Sequence, residues 1–224
     1  MILFFLSLLA LIPLHAVQCP AEDAAPQKYV RSGGPASAYM SPLERDVLQE
    51  INSARTNPQA YAAYLGKMRQ YYRGKRYERP GRTAILTSEG LPALDEAVRF
   101  LSSAARVVPL SPSRGMSLGA RDLVNEQSRS GSLGHAGKDG STPGSRVNKY
   151  GQWQRTVGEN IEYGGEDGRE VVINMIVDDG VPGRGHRRNL FHSEFAVAGV
   201  ACDKHPVYRH MCVVTFAGQY AEKK

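Results

Sequence analysis

Apolar residues recur at helical spacing in several segments between residues 43 and 177 and predict a series of amphipathic helices. The first begins at Ser41-Pro42-Leu43-Glu44, because serine can cap a helix, proline suits its first turn and the glutamate completes a capping box. A second opens at Pro58, and others are predicted over residues 91–105, 113–128 and 169–177, with a short one over 145–150. The apolar positions of the longer helices are Leu43, Val47, Ile51 and Ala54, then Ala62, Leu65 and Met68, then Leu94, Val98 and Leu101, then Met116, Ala120, Leu123 and Val124, and last Val172, Ile173 and Ile176.

Apolar runs of strand length lie near the end of the chain, over residues 195–202 and 211–217. Because nearly every position in them is apolar, we expect both faces of these strands to be covered. A shorter strand is predicted over residues 157–161. Helices gathered early and strands gathered late predict an α+β fold, in which helices pack on a small antiparallel sheet.

Each of the two late runs contains one cysteine, Cys202 and Cys212. If the runs form an antiparallel hairpin with these cysteines opposite each other, further apolar pairs share the same face of the sheet, namely Val200 with Val214 and Ala198 with Phe216. Directly opposed strand residues lie close enough to form a disulfide bond. We therefore predict a Cys202–Cys212 disulfide, and the alternative is a pair of buried free thiols.

The N-terminal residues 1–14 are almost entirely apolar and carry no charge. The segment is shorter than the roughly 20 residues needed to cross a bilayer, and its length is typical of the apolar part of a secretory signal peptide. We therefore predict export, with cleavage between Ala16 and Ala21. No Lys or Arg precedes the apolar run, so a buried helix is the alternative.

This pattern divides the chain into a signal peptide over residues 1–18, a flexible leader over 19–40 and one domain over 41–221. Cys19 lies near the predicted cleavage point or is removed with the signal peptide. A lipid attached to Cys19 is disfavoured, because Gln18 is bulkier than the residue that normally precedes a lipidated cysteine. We expect a secreted, extracellular and monomeric protein in an oxidising compartment, where disulfides persist.

Composition and charge narrow the class of protein. At 224 residues the chain is long enough for one full core and too short for two generous domains. Nothing after the N-terminal segment is long and apolar enough to cross a membrane, so we expect that this is not an integral membrane protein.

The net charge of +6 favours anionic partner surfaces. Basic residues cluster among tyrosines over 69–82, but without a nucleic-acid motif we expect a solvated loop and no nucleic-acid partner.

The candidate functional side chains lie in glycine-rich segments, which contain His135, Glu159 and His186. Each histidine follows a glycine, so we expect each to project from a loop. If the loops converge, two imidazoles and a carboxylate could hold a zinc ion with an open position for water, or could transfer protons without a metal. The alternative is that each histidine pairs with a carboxylate in a structural network, which the spacing alone favours.

Three ordered motifs resemble the CAP superfamily, also called the SCP domain. They are Gly134-His135 followed by Asp139-Gly140, then Gly158-Glu159-Asn160-Ile161, and then Gly185-His186-Arg187-Arg188-Asn189-Leu190. This superfamily includes cysteine-rich secretory proteins, the antigen 5 venom proteins and plant pathogenesis-related proteins. The similarity is closest to the shorter microbial branch and covers residues 41–220.

The resemblance implies a three-layer α-β-α sandwich with a central cleft lined by two histidines and two acidic residues. Carried over to this chain, these residues are His135, Glu159, Asp178 and His186, with Asp179 as the alternative fourth member. In some family members the two histidines hold a divalent ion, which implies a possible metal site at His135 and His186.

The same resemblance implies binding more than catalysis, because family members are associated with sterols, fatty acids and partner proteins. Our first hypothesis is a secreted binding module for a lipid, a sterol or an extracellular protein. The alternative is a metal-assisted hydrolase or peptidase, in which His135 and His186 hold the ion that activates water and Glu159 is the base.

Overall fold

The computed structural model describes residues 38–223 of the chain. The predicted signal peptide, Cys19 and most of the predicted leader lie outside this range. Within it, no helix combines the length and the apolar character needed to cross a membrane.

Within residues 38–223 there are seven α-helices, of which six lie where the sequence predicts a helix and one is not predicted. They are α1 (Pro42–Thr56), α2 (Pro58–Lys67), which continues into a 3₁₀ turn (Met68–Tyr71), α3 (Leu91–Ser103), α4 (Arg114–Ser130), α5 (Pro143–Asn148), α6 (Gly168–Val177) and the unpredicted α7 (Gly185–Leu190). The predicted capping box is confirmed, because Ser41 Oγ accepts from the Glu44 amide and Glu44 Oε2 accepts from the Ser41 amide at 2.7 Å. This box fixes the start of the first helix.

In the part of the chain that the structure describes, the strands form two sheets. The smaller contains β1 (Tyr72–Arg73), β2 (Arg76–Tyr77) and β3 (Ile85–Leu86), and the larger contains β4 (Ser111–Pro112), β5 (Gly151–Tyr163), β6 (Val197–His205) and β7 (Arg209–Glu222) in the order β4-β6-β7-β5. The basic segment expected to be a plain loop therefore contributes two short strands. β4 runs parallel to β6, so the main sheet is mixed rather than purely antiparallel. β5 is also longer than the predicted strand over 157–161, because a bulge between Gln154 and Val157 lets it extend back to Gly151.

The β6–β7 hairpin has the predicted register and the predicted disulfide. Cys202 is opposite Cys212, with their Cα atoms 4.2 Å apart, and the two sulfurs are bonded. The flanking pairs are Val200 with Val214 and Ala198 with Phe216. In the chain-entropy model, a loop of this length contributes about 3 kcal/mol of stability.

Helices cover both faces of the main sheet, which gives the predicted α+β, three-layer α-β-α sandwich. On one face, α1, α2, α3 and α6 pack against the side of the hairpin that contains the disulfide. On the other face, Leu123 and Val124 of α4 pack against Ile161, Met211 and Val213. Burial on both faces confirms the expectation drawn from the continuous apolar runs of these strands.

A buried arginine joins the first helix to the connection that follows α7. Arg55 is fully buried at the end of α1, and its guanidinium donates to the carbonyl oxygens of Val108 (2.9 Å), Leu190 (2.6 Å), His192 (3.3 Å) and Phe195 (2.7 Å). Burial lowers the pKa of Arg55 to about 10, so the side chain remains charged at neutral pH. This contact fixes the end of α7, the helix that contains His186.

Candidate functional site

The first candidate histidine pairs with a buried glutamate of β5. His135 lies in the connection between α4 and α5 with its side chain half exposed, and its Nδ1 is 2.9 Å from Oε1 of Glu159. Arg146 of α5 donates to the other oxygen of Glu159 at 2.7 Å and to the carbonyl oxygen of His135 at 3.0 Å. The side chains of Arg146 and Glu159 are almost completely buried. One arginine therefore holds both members of the pair.

The loop that presents His135 is fixed at its start by a tyrosine. The Gly134 amide donates to the hydroxyl of Tyr163 at 3.1 Å, and that hydroxyl donates to Gln127 of α4 at 2.8 Å. Gln127 in turn donates to the Gly134 carbonyl at 2.7 Å. Gly134 has a φ of 97°, a backbone conformation that favours glycine. The glycine before His135 is therefore required by the turn itself.

The second candidate histidine pairs with the aspartate that ends α6. His186 Nδ1 is 2.6 Å from Asp178 Oδ1, and the His186 amide donates to Asp178 Oδ2 at 2.9 Å. Asp178 is buried and has a φ of 55°, in the left-handed region that aspartate tolerates better than most residues. The expectation that His186 projects from a loop is wrong, because it lies in the first turn of α7. The helix is short, and Gly183 and Gly185 beside it made the sequence read as a loop.

Asp179, the alternative fourth member, points to a different part of the molecule. Its carboxylate accepts from the amides of Glu89 at 2.8 Å and Gly90 at 3.3 Å, and also from the Ser88 amide. These three amides precede α3, so Asp179 holds the start of that helix. Asp178 is the aspartate that contacts His186.

Two asparagines connect the histidine pairs across the edge strand β5. Asn160 donates to the carbonyl oxygen of His186 at 2.9 Å, and Asn189 donates to Asn160 at 2.8 Å and to the carbonyl oxygen of Glu159 at 3.3 Å. Side chains alternate between the faces of a strand, so Glu159 and Asn160 point to opposite sides of β5. The structure thus brings His135 to Glu159 and His186 to Asp178, as two pairs that are linked through the side chains of Asn160 and Asn189.

A further buried acid lies beside the second pair and was missed from the sequence. Glu162 accepts from Asn174 at 2.7 Å and from the Gly165 amide at 3.1 Å. Burial raises the pKa of Glu162 to about 7, although these hydrogen bonds and the nearby His186 act in the opposite direction. The alternation from Asn160 to Glu162 along β5 is the signal that could have identified it.

Arginines attach the turn between α6 and α7 to α3. Arg184 donates to Glu89 at 2.6 Å and to Glu96 at 2.6 Å, while Arg187 donates to Glu96 at 2.9 Å and to the carbonyl oxygen of Val177 at 3.0 Å. The hydrogen bonds from Arg184 and from the Gly180 amide lower the pKa of Glu89 to about 2. The backbone around His186 is therefore held by ion pairs.

The donor set does not form a complete metal site within residues 38–223. No group of three or more His, Cys, Asp and Glu side chains in this range is arranged to hold an ion. The carboxylates of Glu159 and Asp178 are already engaged by hydrogen-bond donors, whereas a zinc site needs three or four protein ligands. The ion expected at His135 and His186 stays a prediction.

Known proteins resemble this chain at the level of the family. Residues 48–217 match the model of the cysteine-rich secretory protein family, CAP. An outer surface protein of Borrelia burgdorferi is 21% identical, with a TM-score of 0.41, over 51% of this chain and 78% of that one. An extracellular protein of Bacillus anthracis that contains an SCP domain is 20% identical, with a TM-score of 0.40, over 50% of this chain and 34% of that one. No curated protein sequence matches significantly.

Proposed function

Because the chain belongs to the cysteine-rich secretory protein (CAP) family, we propose that it is an extracellular binding module that recognises a partner protein through the surface beside His135. In this proposal, Glu159 fixes the loop that presents His135, and Asp178 fixes the start of α7 through His186.

The observation that carries this proposal is that both carboxylate oxygens of Glu159 and of Asp178 already have hydrogen-bond partners. One oxygen of Glu159 contacts His135 at 2.9 Å and the other accepts from Arg146 at 2.7 Å. Asp178 is similar, since one oxygen contacts the His186 ring and the other accepts the His186 amide. A general base needs an oxygen within reach of the proton that it removes. Carboxylates with both oxygens occupied are better suited to fixing the loop and the helix that they touch.

An exposed apolar patch beside the first pair offers a surface for a partner. The turn between β6 and β7 lies against the loop that precedes His135, since His205 Nε2 is 3.3 Å from the carbonyl oxygen of Ser132. Apolar side chains are exposed on this loop and turn, and we call them the Leu133 patch: Leu133 (52% exposed), Val207 (68%) and Tyr208 (43%). Exposed apolar patches mark interaction sites, and tyrosine is enriched in protein interfaces.

A lipid or sterol is the other ligand class that the family suggests. Lipid sites are mostly apolar pockets. A groove of about 770 Å³ beside the bulge of β5 has a mixed lining instead, in which Gln154, Arg155 and Glu194 lie beside Val197 and Tyr220. Because its lining is not mainly apolar, the groove suits a lipid less well than the Leu133 patch suits a protein. Organic extraction of the purified protein followed by mass spectrometry tests this, because a stoichiometric lipid would contradict the choice of partner class.

One observation favours the alternative of a metal-assisted hydrolase. Each histidine uses Nδ1 toward a carboxylate, an arrangement that orients the ring and leaves Nε2 for an ion or a proton. A bound ion would supply Lewis-acid chemistry, and His135 and His186 would be its ligands in this chain. This alternative predicts that His186→Ala abolishes turnover of a peptide or ester while the domain remains folded.

The test uses asparagine in place of each histidine, because the asparagine amide can donate to the same carboxylate from nearly the same position. We expect His135→Asn and His186→Asn to retain a protein captured from the extracellular medium of the source organism. A Leu133→Ser, Val207→Ser double variant should lose that protein. Retention by the patch variant together with loss in both asparagine variants would contradict the proposal and favour the hydrolase.

A further inference from the structure

The small sheet of β1, β2 and β3 presents one face to solvent. Its register places Arg73 opposite Arg76 and Arg76 opposite Leu86, so these three side chains form a row across one face. All three are exposed, and Leu86, at 81%, is the most exposed large apolar residue within residues 38–223. On the other face, Tyr72 and Tyr77 pack against the domain core. We call the row of Arg73, Arg76 and Leu86, with Lys75 in the turn, the basic row.

The basic row is unfavourable for the isolated domain. Like charges directly opposite each other on paired strands repel. Arg76 pairs with Glu78, but Arg73 donates to the carbonyl oxygens of Gln70 at 2.7 Å and Tyr72 at 2.8 Å, which do not neutralise its charge. An exposed leucine beside this pair adds a second cost in water. A partner that is both anionic and apolar would relieve both costs.

The charge of the whole protein is concentrated in the same segment. Residues 67–86 contain seven Lys and Arg and one Glu, a net charge of +6 that equals the net charge of the whole chain. Carboxylates from the rest of the domain neutralise three of these cations, in the pairs Arg69–Asp95, Arg79–Glu170 and Arg82–Glu166. Within residues 38–223 no carboxylate pairs with Arg73 or Lys75, and Arg76 pairs only with Glu78 of the same segment, so the basic row remains a cationic patch.

We propose that the basic row docks on the surface of a membrane that contains anionic lipids, with Leu86 inserted at the headgroup level and the surrounding cations against lipid phosphates. Apolar residues flanked by Lys and Arg are the chemistry of segments that bind at a membrane surface. A polyanion such as nucleic acid or an acidic glycan would attract the cations and leave Leu86 in water. The exposed side chain of Leu86 beside these cations therefore favours an anionic bilayer over a polyanion as the partner.

This docking would also orient the histidine pair of α7. The segment after β3 is attached to the turn between α6 and α7, because Asp179 accepts from the Glu89 amide at 2.8 Å and Arg184 donates to Glu89 at 2.6 Å. Membrane docking through the basic row and protein binding through the Leu133 patch are independent, so either one can be absent while the other is present.

The first test is a tryptophan placed in the row. The chain has a single tryptophan, Trp153, so Leu86→Trp adds a reporter whose signal is obtained by subtracting the emission of the unsubstituted chain. With phosphatidylcholine vesicles in which about a third of the lipid is phosphatidylserine, we expect a blue shift and quenching by brominated acyl chains. Pure phosphatidylcholine vesicles should produce neither. The matched control is Val207→Trp, at another exposed apolar position (68%). The emission maximum of this variant should not shift when the vesicles are added.

The second test measures affinity for the same anionic vesicles. Each cation near such a surface contributes roughly fivefold to binding, so an Arg73→Gln, Arg76→Gln double variant should bind roughly 25-fold more weakly. Arg129→Gln, at an exposed arginine of α4, is the matched control and should bind like the unsubstituted chain. An unshifted Leu86→Trp spectrum, or equal binding by the double variant and the control, would overturn the proposal. Binding to heparin or duplex DNA that Leu86→Ser leaves unchanged, without vesicle binding, would assign the row to a polyanion instead.

Discussion

Asp178 and Asp179 are consecutive in the chain, yet their carboxylates hold two different parts of the molecule. Asp178 contacts the imidazole and the amide of His186, whereas Asp179 accepts from the amides of Glu89 and Gly90 before α3. The left-handed conformation of Asp178, with a φ of 55°, turns the chain between them. This single turn joins the candidate site to the segment that contains the small sheet.

The two aspartates should therefore respond differently to substitution. We expect Asp178→Ala to change the imidazole signals of His186 in an NMR spectrum and to destabilise the domain by about 2 kcal/mol, because it removes charge-assisted hydrogen bonds. Asp179→Ala should destabilise by a similar amount, since it removes the acceptor for the amides before α3, but should leave the His186 signals in place. Identical spectral changes in both variants would show that the two carboxylates act as one unit.

The buried arginine of the first pair should be among the most sensitive positions in the domain. Replacing Arg146 by methionine leaves the buried carboxylate of Glu159 without its guanidinium partner, which should cost about 3–5 kcal/mol in urea unfolding. An Arg146→Met, Glu159→Gln double variant should recover part of this loss, because the uncompensated charge is gone. Arg129→Met, on the exposed side of α4, should change stability by less than about 0.5 kcal/mol. A double variant less stable than Arg146→Met would contradict the role given to the ion pair.

Glu162 should make the domain less stable as the pH rises from about 4.5 to about 7. Burial raises the pKa of this carboxyl from 4.5 to about 7 in the folded protein, so in this interval the folded state binds a proton that the unfolded state has released. By linkage, the free energy of unfolding then falls with rising pH, by about 3 kcal/mol at most. Urea unfolding at several pH values should show this fall in the unsubstituted chain. Glu162→Gln should remove it, and parallel curves for the two proteins would contradict the assignment.

Reduction of the Cys202–Cys212 bond should lower the free energy of unfolding without changing the fold. The chain-entropy model gives a loss of about 3 kcal/mol, which a Cys202→Ala, Cys212→Ala double variant should reproduce in oxidising and reducing buffer alike. The unsubstituted chain should lose this stability only when reductant is added. Equal stability of the oxidised and reduced chains would show that packing around the hairpin, and not the bond, fixes its register.

Features set by short-range spacing could be predicted from the sequence. The capping box at Ser41 and Glu44 depends on four consecutive residues, and the register of Cys202 against Cys212 follows from alternation along two apolar runs. The sequence indicates that each histidine can pair with a carboxylate, but the chain alone does not identify the partner and cannot choose between pairing and metal binding. These features could be predicted because each depends on contacts between residues close in the chain or on positions that repeat at a fixed period.

Features that depend on distant partners were missed. Arg55 and Arg146 look like surface cations in the sequence, since nothing near them in the chain indicates that carbonyls or a carboxylate will surround them. The strands of the small sheet have two residues each, too few for alternation to show. β5 was predicted too short, because its first half is polar and its bulge interrupts the period.

The contacts of Arg55 have a consequence for when the protein can fold. The carbonyl oxygens that receive this side chain near the end of α7 follow it by 135 to 140 residues. During synthesis, α1 emerges long before the segment that completes its packing, and the buried charge has no acceptors there until residue 195 is available. The domain can therefore complete its packing only after most of its length has been made, so α1 must wait for the last third of the chain before its buried charge is satisfied.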